Sequence, residues 1–184
     1  MADTVRANLS VEDEKKRAQF LEHINAEDPL GIVIRGLIYI ESALIKLLEE
    51  GVRKPNAIDF AKDLNFPTKV DLAVALGMLK DDEKAVLLNL NRLRNKLAHN
   101  VEVQVGRDDE DALVKSLSED DRLRLVHFEE KSESGEFPER LRRIVAVQWW
   151  KLDERRVVID EIKQLHPEWE ALVKLVRGWV IGDD

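Results

Sequence analysis

Residues 81–99 read DDEKAVLLNLNRLRNKLAH, and they decide the fold. Val86, Leu90, Leu93 and Leu97 recur at spacings of four, three and four, so they share one narrow arc of an α-helix that must face a core. Asp81 stands where an N-cap is expected. Arg94, Asn95, Lys96 and His99 are then turned away from the apolar arc at the end of the helix.

The same period runs through the rest of the chain. A first helix is expected over Val11–Asn25, opened by a capping-box-like Ser10 and Asp13. A second runs from Pro29, behind the cap Asp28, to Glu50, with Gly51 as its stop. A short third is expected over Ala57–Leu64, and a fourth from Phe66 to Leu76, closed by Gly77. After the motif helix, Val101–Val105 alternates with period two as a short extended segment, and Gly106–Asp109 carries a turn signal. Ser118–Asp121 again resembles a capping box, and a weakly amphipathic turn or two is expected over Glu119–Phe128. Two more helices are expected, over 138–164 and 167–180. The fold class is therefore all-α. Glu129–Glu136, EEKSESGE, has no large apolar side chain and divides the chain into a helical core (1–128), an acidic linker (129–137) and a C-terminal helical extension (138–184).

Composition narrows the function. The 184 residues carry 29 Lys plus Arg against 37 Asp plus Glu, a formal net charge of -8, which argues against a broadly basic surface for a nucleic-acid backbone. Without cysteine there is neither a thiolate nucleophile nor a Cys-ligated zinc, and a reducing cytoplasm is permitted. The N-terminus lacks the apolar core of a secretory signal. Leu30–Leu48 has the length of a bilayer span, but Arg35, Glu41 and Lys46 would each cost about 2.5 to 3.5 kcal/mol at mid-membrane, so a buried helix is expected and no membrane partner. His23, His127 and His166 show no i, i+4 pairing, the acidic runs lack an EF-hand pattern, and neither a phosphate-binding glycine loop nor a nucleophile elbow occurs. No metal or cofactor is expected.

The Arg94-Asn95-x-x-x-His99 pattern resembles the Arg-x4-6-His motif of the HEPN superfamily, small helical domains that carry an Arg, an adjacent polar residue and a His at the end of one helix. The run PTKVDLAVALGMLKDDEKAVLLNLNRLRNKLAH, residues 67–99, is similar to the mannitol-operon-repressor-like branch, and the resemblance spans about Val11 to Leu117. It implies a HEPN-like bundle and one of two functions. One is a metal-independent endoribonuclease that dimerises so that two Arg-His pairs face a cleft, typically a toxin or phage-defence effector opposed by an antitoxin. The other is a non-catalytic regulatory or scaffolding dimer acting on a protein partner.

The residues can be read without the family. Positions five apart lie about 140° apart on an ideal helix, so Arg94 and His99 meet at one phosphate only if the His lies at a helix end or a second copy of the chain supplies it. A neutral imidazole there would take a 2′-hydroxyl proton from RNA, the guanidinium would hold the developing phosphate charge, and Asn95 would orient the ring or bond a phosphate oxygen. Equally, an Arg and a His at a helix C-terminus complement its dipole, for a few tenths to about 1 kcal/mol of stability.

Glu41 falls among apolar residues of the second helix and needs a cation; Arg94 is the expected partner, with Arg35 or Lys46 as alternatives and a structural salt bridge as the plainer role. Arg92 and Lys96 flank the motif as nucleic-acid or interface candidates. The stretch from Glu139 to Arg156 is locally basic, and Arg142, Arg143, Trp149 and Trp150 could bind RNA by charge and stacking. More simply, one Trp fills the core and the other lines a contact.

Overall fold

A glycine fixes the central contact of the molecule. In the computed structural model, which describes residues 11–52, 55–99, 102–129 and 137–165 and leaves the side chains of 99, 127–129, 161 and 163–165 undescribed, α2 (Pro29–Gly51) packs most extensively on α7 (Glu139–Leu165). A Cβ added to Gly36 would stand 2.4 Å from Val145 Cγ1, so only glycine lets the two backbones approach this closely. Ile32, Val33, Leu37, Ile40, Leu44, Leu47 and Leu48 of α2 are buried, as are Leu141, Ile144, Val145, Trp149 and Leu152 of α7. Each such aliphatic side chain contributes roughly 1.5 to 3 kcal/mol of hydrophobic stabilisation.

Around this pair stand α1 (Val11–Asn25), α3 (Phe66–Ala75), α4 (Lys84–His99), α5 (Arg107–Lys115) and α6 (Glu119–Glu129). The all-α expectation holds: the described residues contain no strand. On α4, Val86, Leu90, Leu93 and Leu97 are all buried, as their spacing requires.

Local chemistry sets the helix ends. Asp28 Oδ1 accepts from Gly31 N at 2.8 Å, with Pro29 opening α2, and Asn65 Oδ1 accepts from Thr68 N at 3.0 Å to open α3. Gly77, at φ +72°, closes α3 with two bonds, Met78 N to Ala73 O at 2.8 Å and Gly77 N to Val74 O at 2.9 Å, in the Schellman pattern. Ser118 Oγ accepts from Asp121 N at 3.2 Å to start α6, a full helix instead of a turn or two.

Several expectations are corrected. Residues 57–64 form no α-helix. A 3-10 turn at Pro55–Ala57 leads into turns in which Asp59 Oδ1 takes the N–H groups of Ala61 and Lys62, so a side chain outcompetes the helical carbonyls. Asp81 does not cap α4. It begins a 3-10 turn, Asp81–Glu83, and the reciprocal bond runs from Lys80 N to Glu83 Oε2 at 2.8 Å. Gly106–Asp109 is the start of α5, closed by Gly106 N to Asp109 Oδ2 at 3.1 Å, and the described part of the alternating stretch before it is not extended into a strand. Ser10, the interior of the acidic linker and the helix expected over 167–180 lie outside the described residues.

The largest correction concerns the division at the linker. As far as Leu165, the proposed C-terminal extension is α7, which contributes to the same core as α1 and α2. Glu110 of α5 accepts from Leu141 N at 2.9 Å, so a buried carboxylate caps α7 from another helix; burial raises its pKa, and that N–H bond only partly counters the rise.

Candidate functional site

The sequence motif lies on the last two turns of α4. Leu93 and Leu97 anchor those turns in the core, which leaves Arg94 and Asn95 half-buried at its margin and Lys96 exposed. Arg94 donates through one terminal nitrogen to Asn95 Oδ1 at 3.1 Å, its sole side-chain partner among the described residues. A guanidinium has five N–H donors, so the amide leaves most of them and the full positive charge uncommitted. His99 is the final residue of α4, with its side chain outside those described. Lys96 reaches Asp109 of α5 at 3.3 Å, and Arg92 donates to Asn89 one turn back.

Glu41 does not reach Arg94. It accepts from Lys69 Nζ at 2.5 Å, and Lys69, on α3, is only 2 % exposed against 26 % for the carboxylate. A buried ammonium requires a counter-charge, and the packing of α3 against α2 supplies one before α4 can. Arg35, one alternative, pairs instead with Glu27 at 2.9 Å. Nothing in the sequence marks Lys69, because its burial follows from how two helices meet.

The basic stretch of α7 is also reassigned. Trp149 is buried and stacks on Phe20 with centroids 4.0 Å apart, so it belongs to the core and is not an exposed stacking platform for RNA. Trp150 is half-buried, and the Arg17 guanidinium lies 4.9 Å above it. This matches the plainer alternative for the pair. Arg142 donates to the carbonyls of Ile24 and Glu27 at 3.1 and 3.2 Å and to Glu139, satisfying the end of α1. Arg143 beside it is half-buried and engaged. Arg156 is held by Asp13 at 2.5 Å and Asp153 at 3.2 Å.

One polar cluster has no counterpart in the sequence reading. Lys151 Nζ sits 2.8 Å from Asp121 and 3.1 Å from Glu83, Arg155 grips Glu83 with two bonds of 2.8 and 2.9 Å, and Gln148 donates to Asp121 at 3.1 Å. Burial alone would raise the Glu83 pKa, but the Arg155 bonds, the Lys80 N–H and the Lys151 charge outweigh it and bring it down to about 2. Its signal was the spacing of Gln148, Lys151 and Arg155 along one face of α7. No group of three or more His, Asp or Glu side chains among the described residues is arranged to hold a metal ion, and no helix among them is long and apolar enough to cross a membrane. Comparisons with models of known families, with characterised proteins and with solved structures return no match to this chain.

Proposed function

We propose that the chain is a HEPN-type, metal-independent endoribonuclease that works in the cytoplasm as a homodimer, in a toxin or phage-defence role. The observation that carries this reading is the state of Arg94. Arg17, Arg35, Arg124, Arg142, Arg155 and Arg156 are each paired with a carboxylate, whereas Arg92 and Arg94 on α4 are each held by a neutral amide, and of these two Arg94 is the half-buried one, beside the last turn of the helix. An acid partner would cancel its charge; an amide positions it and leaves it for a phosphate.

In this reading His99 takes the proton from the ribose 2′-hydroxyl, O2′ attacks the adjacent phosphorus as the P–O5′ bond breaks, and the leaving 5′-oxygen takes a proton from water, yielding a 2′,3′-cyclic phosphate and a 5′-hydroxyl. Arg94 holds the charge that grows on the non-bridging oxygens, and Asn95 fixes the guanidinium. Glu41 takes no part, being committed to Lys69.

A regulatory or scaffolding dimer acting on a protein partner is the second reading. What favours it is the acidic balance of the chain, -8, together with the internal ion pairs that consume Arg142, Arg155 and Arg156. One experiment separates the two: purified wild type, His99→Ala and Arg94→Ala are each incubated with labelled RNA in EDTA. The nuclease reading expects cleavage by the wild type and a loss of about a hundredfold or more in either variant. Intact RNA with all three proteins leaves the scaffold.

A further inference from the structure

Three helices leave a gap on the face of the bundle formed by α1, α2 and α7. There α2 presents Ala43, whose small side chain leaves a cleft of about 220 Å³. None of its lining residues belongs to the α4 motif.

The aromatic side of the cleft is preformed. Ala43 and Trp149, both buried, line its depth, and half-buried Tyr39 forms a wall. Trp149 is stacked on Phe20 at 16°, Tyr39 stands edge-on to both rings at 81° and 83°, and its hydroxyl oxygen lies 2.5 Å from His23 Nδ1. Rings braced in this way lose little freedom when a planar ligand packs on them.

The polar lining is divided. Lys16 is held by Glu12 at 2.7 Å, and Arg156 by Asp13 and Asp153. Lys46 makes no hydrogen bond or contact ion pair among the described residues, although its charge reaches Glu12 and adds a minor part to the lowering of that carboxylate's pKa, and Ser42 stands one turn before it, also exposed. Tyr39, Ser42 and Lys46 follow one another along a single face of α2, ahead of Glu49 and Glu50. One cation without a contact partner beside an aromatic wall suits a single negative charge; a phosphate dianion would meet Glu49, Glu50 and Asp153.

We propose that this cleft binds a small monoanion with a flat apolar body, of the aromatic carboxylate class, its ring against Tyr39 over Ala43 and Trp149 and its carboxylate on the Lys46 ammonium and the Ser42 hydroxyl. Calorimetric titration of the full chain with 2-naphthoate, and with the neutral isostere 2-naphthamide, tests it. The expected result is one naphthoate per chain, weakened about tenfold by Lys46→Met through loss of one charge-assisted contact, with the amide indifferent to that change. Ala43→Leu, which fills the depth of the cleft, should abolish binding of both. Lys46 is exposed, so its variant keeps the fold and decides the matter if Ala43→Leu does not. Absence of naphthoate binding to the wild type at millimolar concentration, or an affinity that Lys46→Met leaves unchanged, overturns the proposal.

Discussion

Glu83→Gln removes one carboxylate from the buried cluster and keeps its shape. In the native protein Glu83 is 2 % exposed and is shared by Arg155 and Lys151, the latter 4 % exposed. Its loss leaves Lys151 with Asp121 alone and Arg155 with no acid in place, and breaking a buried pair from one side costs about 3 to 5 kcal/mol. The pH dependence supplies a sharper test. The folded pKa of about 2 lies below the ordinary value of 4.5, so between them the unfolded chain binds the proton first. The stability that Glu83 contributes is therefore complete well above pH 4.5 and is lost as pH falls toward 2. With about 1.4 kcal/mol per unit, the contribution is roughly 3 kcal/mol, of which about 2 is gone by pH 3. Urea unfolding of the wild type and Glu83→Gln at pH 7 and pH 3 measures it. The gap in unfolding free energy between the two proteins should narrow by about 2 kcal/mol at the lower pH. A gap that stays constant with pH would refute the role assigned to the Arg155 and Lys151 contacts.

Gly36→Ala should destabilise by about 1 to 3 kcal/mol in denaturant unfolding, because the added methyl must displace Val145; a neutral or stabilising result would mean that the contact between α2 and α7 is looser than described. Glu41→Gln should leave the buried Lys69 ammonium without its counter-charge and cost about 3 kcal/mol in urea unfolding, whereas Arg94→Met, which breaks no ion pair, should cost about 1 kcal/mol or less. Asp28→Ala should cost about 1 kcal/mol by removing the cap on Gly31, readable in the thermal midpoint.

Much of the fold was legible because helices announce themselves locally. The apolar arc of α4, the caps Asp28 and Ser118 and the glycine stop at Gly77 are set by interactions within a few residues, and each appears where its spacing places it. The failures share a cause as well. At 57–64 the sequence carries helical spacing, but Asp59 bonds to nearby backbone, a choice that periodicity does not register. At 106–109 a glycine and two aspartates serve a helix start as readily as a turn.

The sequence by itself determined the all-α class and most of the helices, which arc of α4 is apolar, and that Arg94, Asn95 and His99 share the end of one helix. Only the tertiary structure decided who faces whom. Glu41 meets Lys69 and not Arg94, Trp149 belongs to the core, α7 is the principal partner of α2 instead of an appendage, and Lys151 is enclosed between two carboxylates. The reason is physical: helical periodicity fixes the direction of a side chain about its own axis, while the partner it finds depends on which helix packs there and how closely. At Gly36 that closeness hangs on the absence of a single methyl group.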